Sequence, residues 1–303
     1  MKRDLTKILD LTPDEGAHLL ERAAFMKRMR QTRGEYVPLR GKSLAMIFEK
    51  ASTRTRVSFE LGMHELGGTA LHLSAAETQI GRGEPISDTG RVLSRYVNAI
   101  MIRTYAQETV EELARWSTVP VINGLSDLYH PCQMLADLFT VRELKGDLRP
   151  LKIAYIGDGN NVANSWVEAA ILLGLNLTVA SPEQYRPAPA IEKLARNSGN
   201  ILFTNDPAEA ADKADVINTD VWVSMGMEEE KNERIRAFVG FCVDERLLER
   251  AKKDAIVMHC LPAHRNEEIS ESVFERFQEV IFTQAENRLH AQKALLEWLM
   301  VEA

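Results

Sequence analysis

Lys152-Ile153-Ala154-Tyr155-Ile156-Gly157-Asp158-Gly159-Asn160-Asn161-Val162 reads as strand, tight turn and helix start in succession. An apolar, β-branched run stops at two glycines, and a helical stripe follows over residues 162–173. The same alternation extends outward in both directions. Strands are expected over 43–48, 69–73, 97–102 and 119–122, then over 152–156, 177–180, 201–204, 216–218, 255–259 and 280–282. Helical patterns separate most of them, among them 14–29, 188–197 and 245–253. This order predicts an α/β protein with parallel sheets flanked by helices, and with ligands at the carboxyl ends of strands.

The chain has 303 residues, which favours two domains over one. The best boundary is Lys145-Gly146-Asp147-Leu148-Arg149-Pro150, where glycine, proline and charge cluster. Upstream, residues 131–144 read as a helix. Pro131 suits its first turn, Leu135, Leu138 and Phe139 share a face, and Gly146 is its stop. Two domains of similar size are therefore expected, 1–133 and 148–283, joined by a helix over 131–145. A last helix is expected over 286–300, with Leu289, Leu296 and Met300 on one stripe.

The net charge is −7, with 45% hydrophobic and 27% charged residues. Disorder needs less apolar content, and a nucleic-acid partner would favour a basic surplus. No apolar run reaches membrane-spanning length, and the amino-terminal stretch has no apolar segment of signal-peptide length, so the expectation is a cytoplasmic protein. Cys132, Cys242 and Cys260 are too few for a disulfide framework.

Residues 48–56, Phe48-Glu49-Lys50-Ala51-Ser52-Thr53-Arg54-Thr55-Arg56, end an apolar strand in hydroxyls and arginines. Phe59, Met63 and Leu66 mark the helix that follows, with Ser52 placed as its N-cap. A helix amino terminus with hydroxyls and guanidinium forks makes a phosphate site. An ordinary capped helix with solvated arginines fits the same residues. Arg103 directly follows an apolar strand, where parallel sheets bind ligands, although an arginine turned to solvent fits too. His130-Pro131-Cys132-Gln133 opens a helix. His130 and Gln133 can both donate to a carbonyl oxygen and so stabilise an oxyanion; a capping histidine beside a buried cysteine is the alternative. Histidines and cysteines occur at 130, 132, 259, 260 and 264, but without C-x-x-C or H-x-x-x-H spacing, which disfavours structural zinc.

The Gly157-Asp158-Gly159 turn approximates a dinucleotide fingerprint but fails it twice. Val162 stands at the third glycine, and Ala180-Ser181-Pro182 lacks the acid that would hold a ribose. A nicotinamide dehydrogenase is thus a weak alternative, and the Asn160 and Asn161 amides suit an amino-acid head group instead. Asp220-Val221-Trp222-Val223-Ser224-Met225-Gly226 places a carboxylate and a hydroxyl after a strand, as an ammonium ligand requires; an Asp that caps a turn has the same spacing. In His259-Cys260-Leu261-Pro262, Leu261 precedes proline and is biased towards extended geometry. Adjacent strand residues point to opposite faces, so His259 is badly placed to activate Cys260. Arg288, placed in the first turn of the last helix, is electrostatically disfavoured there and suggests an anionic partner.

In chain order, Ser52-Thr53-Arg54-Thr55-Arg56, His130-Pro131-Cys132-Gln133, Asp220 with Ser224-Met225-Gly226, and His259-Cys260-Leu261-Pro262 resemble the aspartate/ornithine carbamoyltransferase family. The resemblance runs over essentially the whole chain, and its Ser-Met-Gly and His-Cys-Leu-Pro elements point to the ornithine branch. It implies transfer of a carbamoyl group from carbamoyl phosphate to the side-chain amine of L-ornithine, in arginine biosynthesis, without cofactor or metal. It also implies that 1–133 binds carbamoyl phosphate, that 148–283 binds ornithine, that the 284–303 helix packs back on the first domain, and that the active site lies in the interdomain cleft.

By the same resemblance, Ser52, Thr53, Arg54, Thr55, Gln79, Arg103, His130, Gln133, Cys260, Leu261 and Arg288 contact carbamoyl phosphate. Asn161, Asp220, Ser224 and Met225 bind ornithine, and Arg103, His130 and Cys260 are the catalytic set. A homotrimer is implied, with Gln79 reaching a neighbouring site. Asn266 and Thr283 depart from the family, where Gly and Asp are commoner. Putrescine and N-acylated ornithine are rival acceptors, but Asp220 needs an α-ammonium to pair with and favours free ornithine. A non-catalytic binding protein is a further class, opposed by the intact set of Arg54, Arg103, His130, Asp220 and Cys260.

Overall fold

The computed structural model describes residues 2–74, 83–224, 226 and 228–302. Gln79 and Met225, both expected at the site, lie outside the described residues. The chain divides into two compact units, Met1–Phe139 with Glu286–Ala303, and Thr140–Ala285.

In the first unit, α1 (Pro13–Gln31) precedes β1 (Ser43–Phe48), α2 (Thr53–Glu65), β2 (Thr69–Ser74), α3 (Ile86–Leu93), β3 (Ala99–Arg103), α4 (Gln107–Trp116) and β4 (Val121–Leu125). The strands are parallel in the order β2-β1-β3-β4. α5 (Pro131–Lys145) then carries the chain across the unit boundary. The second unit holds β5 (Lys152–Ile156), α6 (Asn161–Leu173), β6 (Asn176–Ala180), α7 (Pro189–Ala195), β7 (Ile201–Thr204), α8 (Pro207–Ala211) and β8 (Val216–Thr219). It continues through α9 (Lys231–Ala237), α10 (Glu245–Arg250), β9 (Ile256–His259) and α11 (Glu271–Arg276). Its parallel order is β7-β6-β5-β8-β9. α12 (Gln278–Glu297) begins in the second unit and ends in the first.

Both orders contain a point where the winding reverses, and parallel sheets bind ligands outside the strand ends there. In the first unit it lies between β1 and β3, so the segments after Phe48 and Arg103 meet there. In the second it lies between β5 and β8, beside the turn after Ile156 and the segment after Thr219.

Each sheet closes on its own apolar core. Ala45, Ile47, Ile100, Ile102, Val110, Leu113 and Val121 form one. Trp222, Phe238, Phe241, Val257 and Phe274 belong to the other, where Trp222 stacks on Phe238 at 5.3 Å between centroids. No helix among the described residues is long and apolar enough to cross a membrane.

Three sequence expectations are corrected. Residues 280–282 are helical, not a strand. Ile281, Gln284, Asn287 and Arg288 are buried while Phe282 is exposed, a three-to-four-residue rhythm that a three-residue apolar run cannot reveal. α12 therefore starts at Gln278, and Arg288 sits in its middle rather than its first turn, which removes the dipole argument. Third, Leu261 is not extended. It takes φ +60° before a cis Leu261–Pro262 bond. Smaller shifts occur at strand ends. The Val97 N–H bonds back to the Leu93 carbonyl and closes α3, so β3 starts at Ala99 and includes Arg103. Asn266 adopts φ +68°, a left-handed conformation that Gly takes freely and Asn tolerates, which accounts for the first family departure.

Candidate active site

The first unit assembles a cationic cluster at the amino end of α2. Ser52 caps that helix, its Oγ accepting the Thr55 N–H at 3.2 Å. Thr53 and Arg54 stand exposed on the first turn, beside N–H groups with no partner within the helix. Arg103 is buried at the end of β3, opposite Phe48 in register. The Glu49 N–H donates to the Arg103 carbonyl at 2.9 Å, and the Glu49 carboxylate accepts from the Thr104 hydroxyl, which ties the ends of β1 and β3 together.

Arg288 completes the cluster from α12. Its Nη1 donates to Gln133 Oε1 at 2.8 Å, and its Nη2 to Thr55 Oγ1 at 3.0 Å. Gln133 is itself oriented by Asp137, one turn along α5, through Nε2–Oδ1 at 2.8 Å. Gln292, oriented with its oxygen towards Arg288, accepts from Nε at 3.1 Å while its nitrogen donates to Ser58 Oγ. The guanidinium is thereby fixed in plane.

The carbonyl of His130 accepts the first N–H groups of α5, and its ring is buried. Burial pushes the imidazole well below its usual titration range, and Arg288, Arg103 and Arg54 push in the same direction. It is therefore neutral at pH 7 and offers one ring N–H as a donor. Cys132, next in sequence, is inert by comparison. Its Sγ faces the Asn123 carbonyl, and burial raises the thiol to about 12.

The second unit gathers carboxylate and amide groups at its own switch point. Asp220, just after β8, is buried and takes three donors. These are Asn160 Nδ2 on Oδ2 at 2.7 Å, the Val221 N–H on Oδ1 at 2.8 Å and Cys260 Sγ on Oδ1 at 2.9 Å. Ser224 is half-buried four residues on. Asn161, the expected ligand, opens α6, whereas its neighbour Asn160 makes the contact to Asp220.

His259 does not serve Cys260. Its Nε2 faces the fully buried Glu268 at 3.0 Å, and its Nδ1 accepts the Leu261 N–H at 2.8 Å. That pair holds the turn on which Cys260 and Leu261 stand. Asp220, His259 and Cys260 bring metal-type donor atoms within 4.8 Å of one another, but each is already engaged in these hydrogen bonds.

Asp158 in the glycine turn meets Arg234 of α9 at 3.0 Å, and Arg234 also donates to the Trp222 carbonyl at 2.9 Å, bracing the segment after Asp220. Burial raises the Asp158 carboxyl to about 7, against the pull of Arg234. Gly159 is needed for packing. A Cβ there would sit 2.2 Å from Pro187 N and 2.6 Å from the Tyr185 carbonyl oxygen. The backbone of 185–187 therefore covers the face of the turn that a pyrophosphate would need, which opposes the dehydrogenase alternative.

Three residues of this arrangement were missed in the sequence. Gln292 lies one turn beyond Arg288 on the same helix, a spacing that does not by itself say which face meets the cluster. Asp137 is likewise one turn from Gln133. Lys50, buried against Asp127 and 4.2 Å from the Tyr105 ring centroid, meets these partners far along the chain. Asn160, whose amide is expected near an amino-acid head group, makes its contact to Asp220 across sixty residues.

Comparison with known proteins bears on this geometry directly. Residues 3–143 match the family model for the carbamoyl-P binding domain of aspartate/ornithine carbamoyltransferase, and residues 149–299 match that of its Asp/Orn binding domain. Ornithine carbamoyltransferase from Methanoculleus marisnigri is 54% identical over 297 residues, covering 98% of this chain and 96% of that protein. The protein of the same name from Anoxybacillus flavithermus is 55% identical over 303 residues, covering 98% and 96%. Among solved structures, ornithine carbamoyltransferase from Pyrococcus furiosus superposes with a TM-score of 0.95 at 50% identity, covering 100% of this chain and 98% of that one. With both halves matched and both switch points carrying the expected residue types, the chain belongs to the aspartate/ornithine carbamoyltransferase family.

Proposed function

We propose that this chain transfers the carbamoyl group of carbamoyl phosphate to the side-chain amine of L-ornithine, giving L-citrulline and phosphate. The observation that carries the reading is the pairing of opposite chemistries at two switch points. One has Arg54, Arg103 and Arg288 around a neutral His130; the other has a buried Asp220. The relatives at about half identity bear the name of that activity.

Ser52, Thr53, Arg54 and Thr55 hold the phosphate at the amino end of α2, with Arg288 as a planar fork. Arg103, His130 and Gln133 surround the carbamoyl group. On attack, the C–N bond forms and the carbonyl π pair moves to oxygen; the oxyanion then re-forms the carbonyl as the C–O bond to phosphate breaks with its electron pair, and the departing phosphate takes the proton that the nitrogen sheds. The transient oxyanion is met by Arg103 and by the N–H of a neutral His130, which stabilises developing charge without having stored a charge of its own. No covalent enzyme intermediate is needed, since positioning alone can contribute ~7–11 kcal/mol. The attacking amine resembles a lysine side chain, with an ordinary value of ~10.4, and must lose a proton first. Asp220 takes the α-ammonium; Asn161, Ser224 and Met225 complete the amino-acid site, and Cys260 and Leu261 flank the attacking amine.

We further propose the homotrimer that the resemblance implies, with Gln79 entering a neighbouring site, and a cytoplasmic role in arginine biosynthesis. In support of association, β2 is an edge strand with exposed side chains including Leu71, and it leads directly into the segment that holds Gln79. Light scattering tests it: three chains per particle is expected, and a monomer would overturn it.

A colorimetric citrulline assay with ornithine, putrescine, N-acetylornithine and aspartate as competing acceptors tests the reaction. Turnover confined to ornithine is expected. Preference for putrescine or the acylated amino acid would replace this reading with a sister activity.

A further inference from the structure

We infer that Asn160 is a positioning residue for the amine substrate, and that it sets the orientation of the Asp220 carboxylate; the inference rests on the amino-acid site proposed above. Asn160 works in two directions at once. Its Oδ1 caps α6, accepting the Val162 N–H at 2.9 Å and the Ala163 N–H at 3.3 Å. The same oxygen accepts the Tyr155 hydroxyl at 3.1 Å. Three donors on one oxygen leave a single orientation for the amide, with the nitrogen turned away. That nitrogen donates to Asp220 Oδ2 at 2.7 Å.

The Tyr155 phenol keeps its proton for a physical reason. It is fully buried, and burial with the nearby Asp220 and Asp158 charges pushes its titration well above the usual range. It is thus a permanent donor that locks Asn160. The lock passes on to Asp220, whose other oxygen meets the Val221 N–H and Cys260 Sγ. A carboxylate held on both oxygens presents a fixed lone-pair direction to an incoming ammonium, which lowers the ordering cost of binding. Helix capping alone would leave the amide nitrogen irrelevant.

Two substitutions separate the two duties, because Ser and Asp both cap helices well. Asn160→Ser keeps the cap and deletes the donor to Asp220. Asn160→Asp keeps the cap and sets a second carboxylate against Asp220. KM for ornithine, KM for carbamoyl phosphate, kcat and the melting temperature are measured for both, with Asp220→Asn as reference. We expect ornithine KM to rise about 10-fold in Asn160→Ser and about 100-fold in Asn160→Asp, the range of a hydrogen bond to a charged group. Carbamoyl phosphate KM stays within about 3-fold.

Ornithine KM within twofold of wild type in both variants overturns the inference. If Asn160→Asp does not fold, the Ser variant decides alone. The wild-type protein gives a further readout without substitution, since the Asn160 side-chain amide protons must exchange slowly with solvent. Exchange as fast as that of exposed asparagines contradicts the inference. Failure of the proposed function looks different: wild type makes no citrulline and Asp220→Asn leaves amine binding unchanged. Failure of this inference alone leaves those two results as proposed while the Asn160 variants match wild type.

Discussion

Arg288 donates to Gln133 and Thr55, and Gln292 accepts from its Nε, so the guanidinium is held in one plane within the cluster at the amino end of α2. A lysine would keep the charge and lose this planar registration. Arg288→Lys is therefore expected to raise carbamoyl phosphate KM about 10-fold or more, with ornithine KM little changed, as two-substrate kinetics would show. His130 makes a different kind of commitment. Its folded-state value lies well below that of the unfolded chain, so the unfolded state binds the proton more readily as pH drops. The stability held above about pH 6.5 is lost as pH falls through and below that value. Thermal melts from pH 7.5 to 5 should show this slope, and His130→Gln should flatten it. His290 shares the direction, so part of the slope persists in that variant. A wild-type midpoint independent of pH would contradict a buried neutral His130. At this scale local chemistry was legible. Ser52 as an N-cap needs only its neighbours, and the structure places it so. The partners of Arg288 were not legible, because Gln133 and Thr55 lie more than a hundred residues away.

Among the elements, strands with apolar runs bounded by turn residues are readable to within a residue or two, as with β1, β5 and β7. The failure at 280–282 arose because three apolar residues fit either period, and only the burial rhythm of the full α12 separates them. The glycine turn after β5 shows a motif read correctly in form and differently in cause. Gly159 was weighed as part of a phosphate cradle, yet what requires it is the backbone of 185–187 against its Cα. Gly159→Ala must displace that backbone. It should destabilise the protein by about 1–3 kcal/mol in denaturant melts and raise ornithine KM by moving Asn160. Wild-type stability in this variant would contradict the packing. Leu261, whose pre-proline position argued for extended backbone, is instead held with φ +60° by the bond from its N–H to His259. A side-chain bond from two residues upstream, itself anchored by Glu268, overrides the pre-proline preference.

At the scale of the molecule, two parallel sheets each offer a ligand site where their winding reverses, and the residues there carry opposite charge. The net charge of −7 gave no hint of this, since Arg54, Arg103 and Arg288 act as a local cluster. The alternation of strands and helices was enough to expect ligands at strand ends. The winding order, which selects the strand ends that matter, is a property of the folded sheet. By the proposed function, the first unit carries the cationic groups for the phosphate-bearing substrate and the second the carboxylate for the amino acid. Calorimetric titration of carbamoyl phosphate into wild type, Arg54→Ala and Asp220→Asn checks this division. Binding is expected to be lost or at least about 100-fold weaker in Arg54→Ala and within about 3-fold of wild type in Asp220→Asn. Retained binding in Arg54→Ala with loss in Asp220→Asn would contradict it.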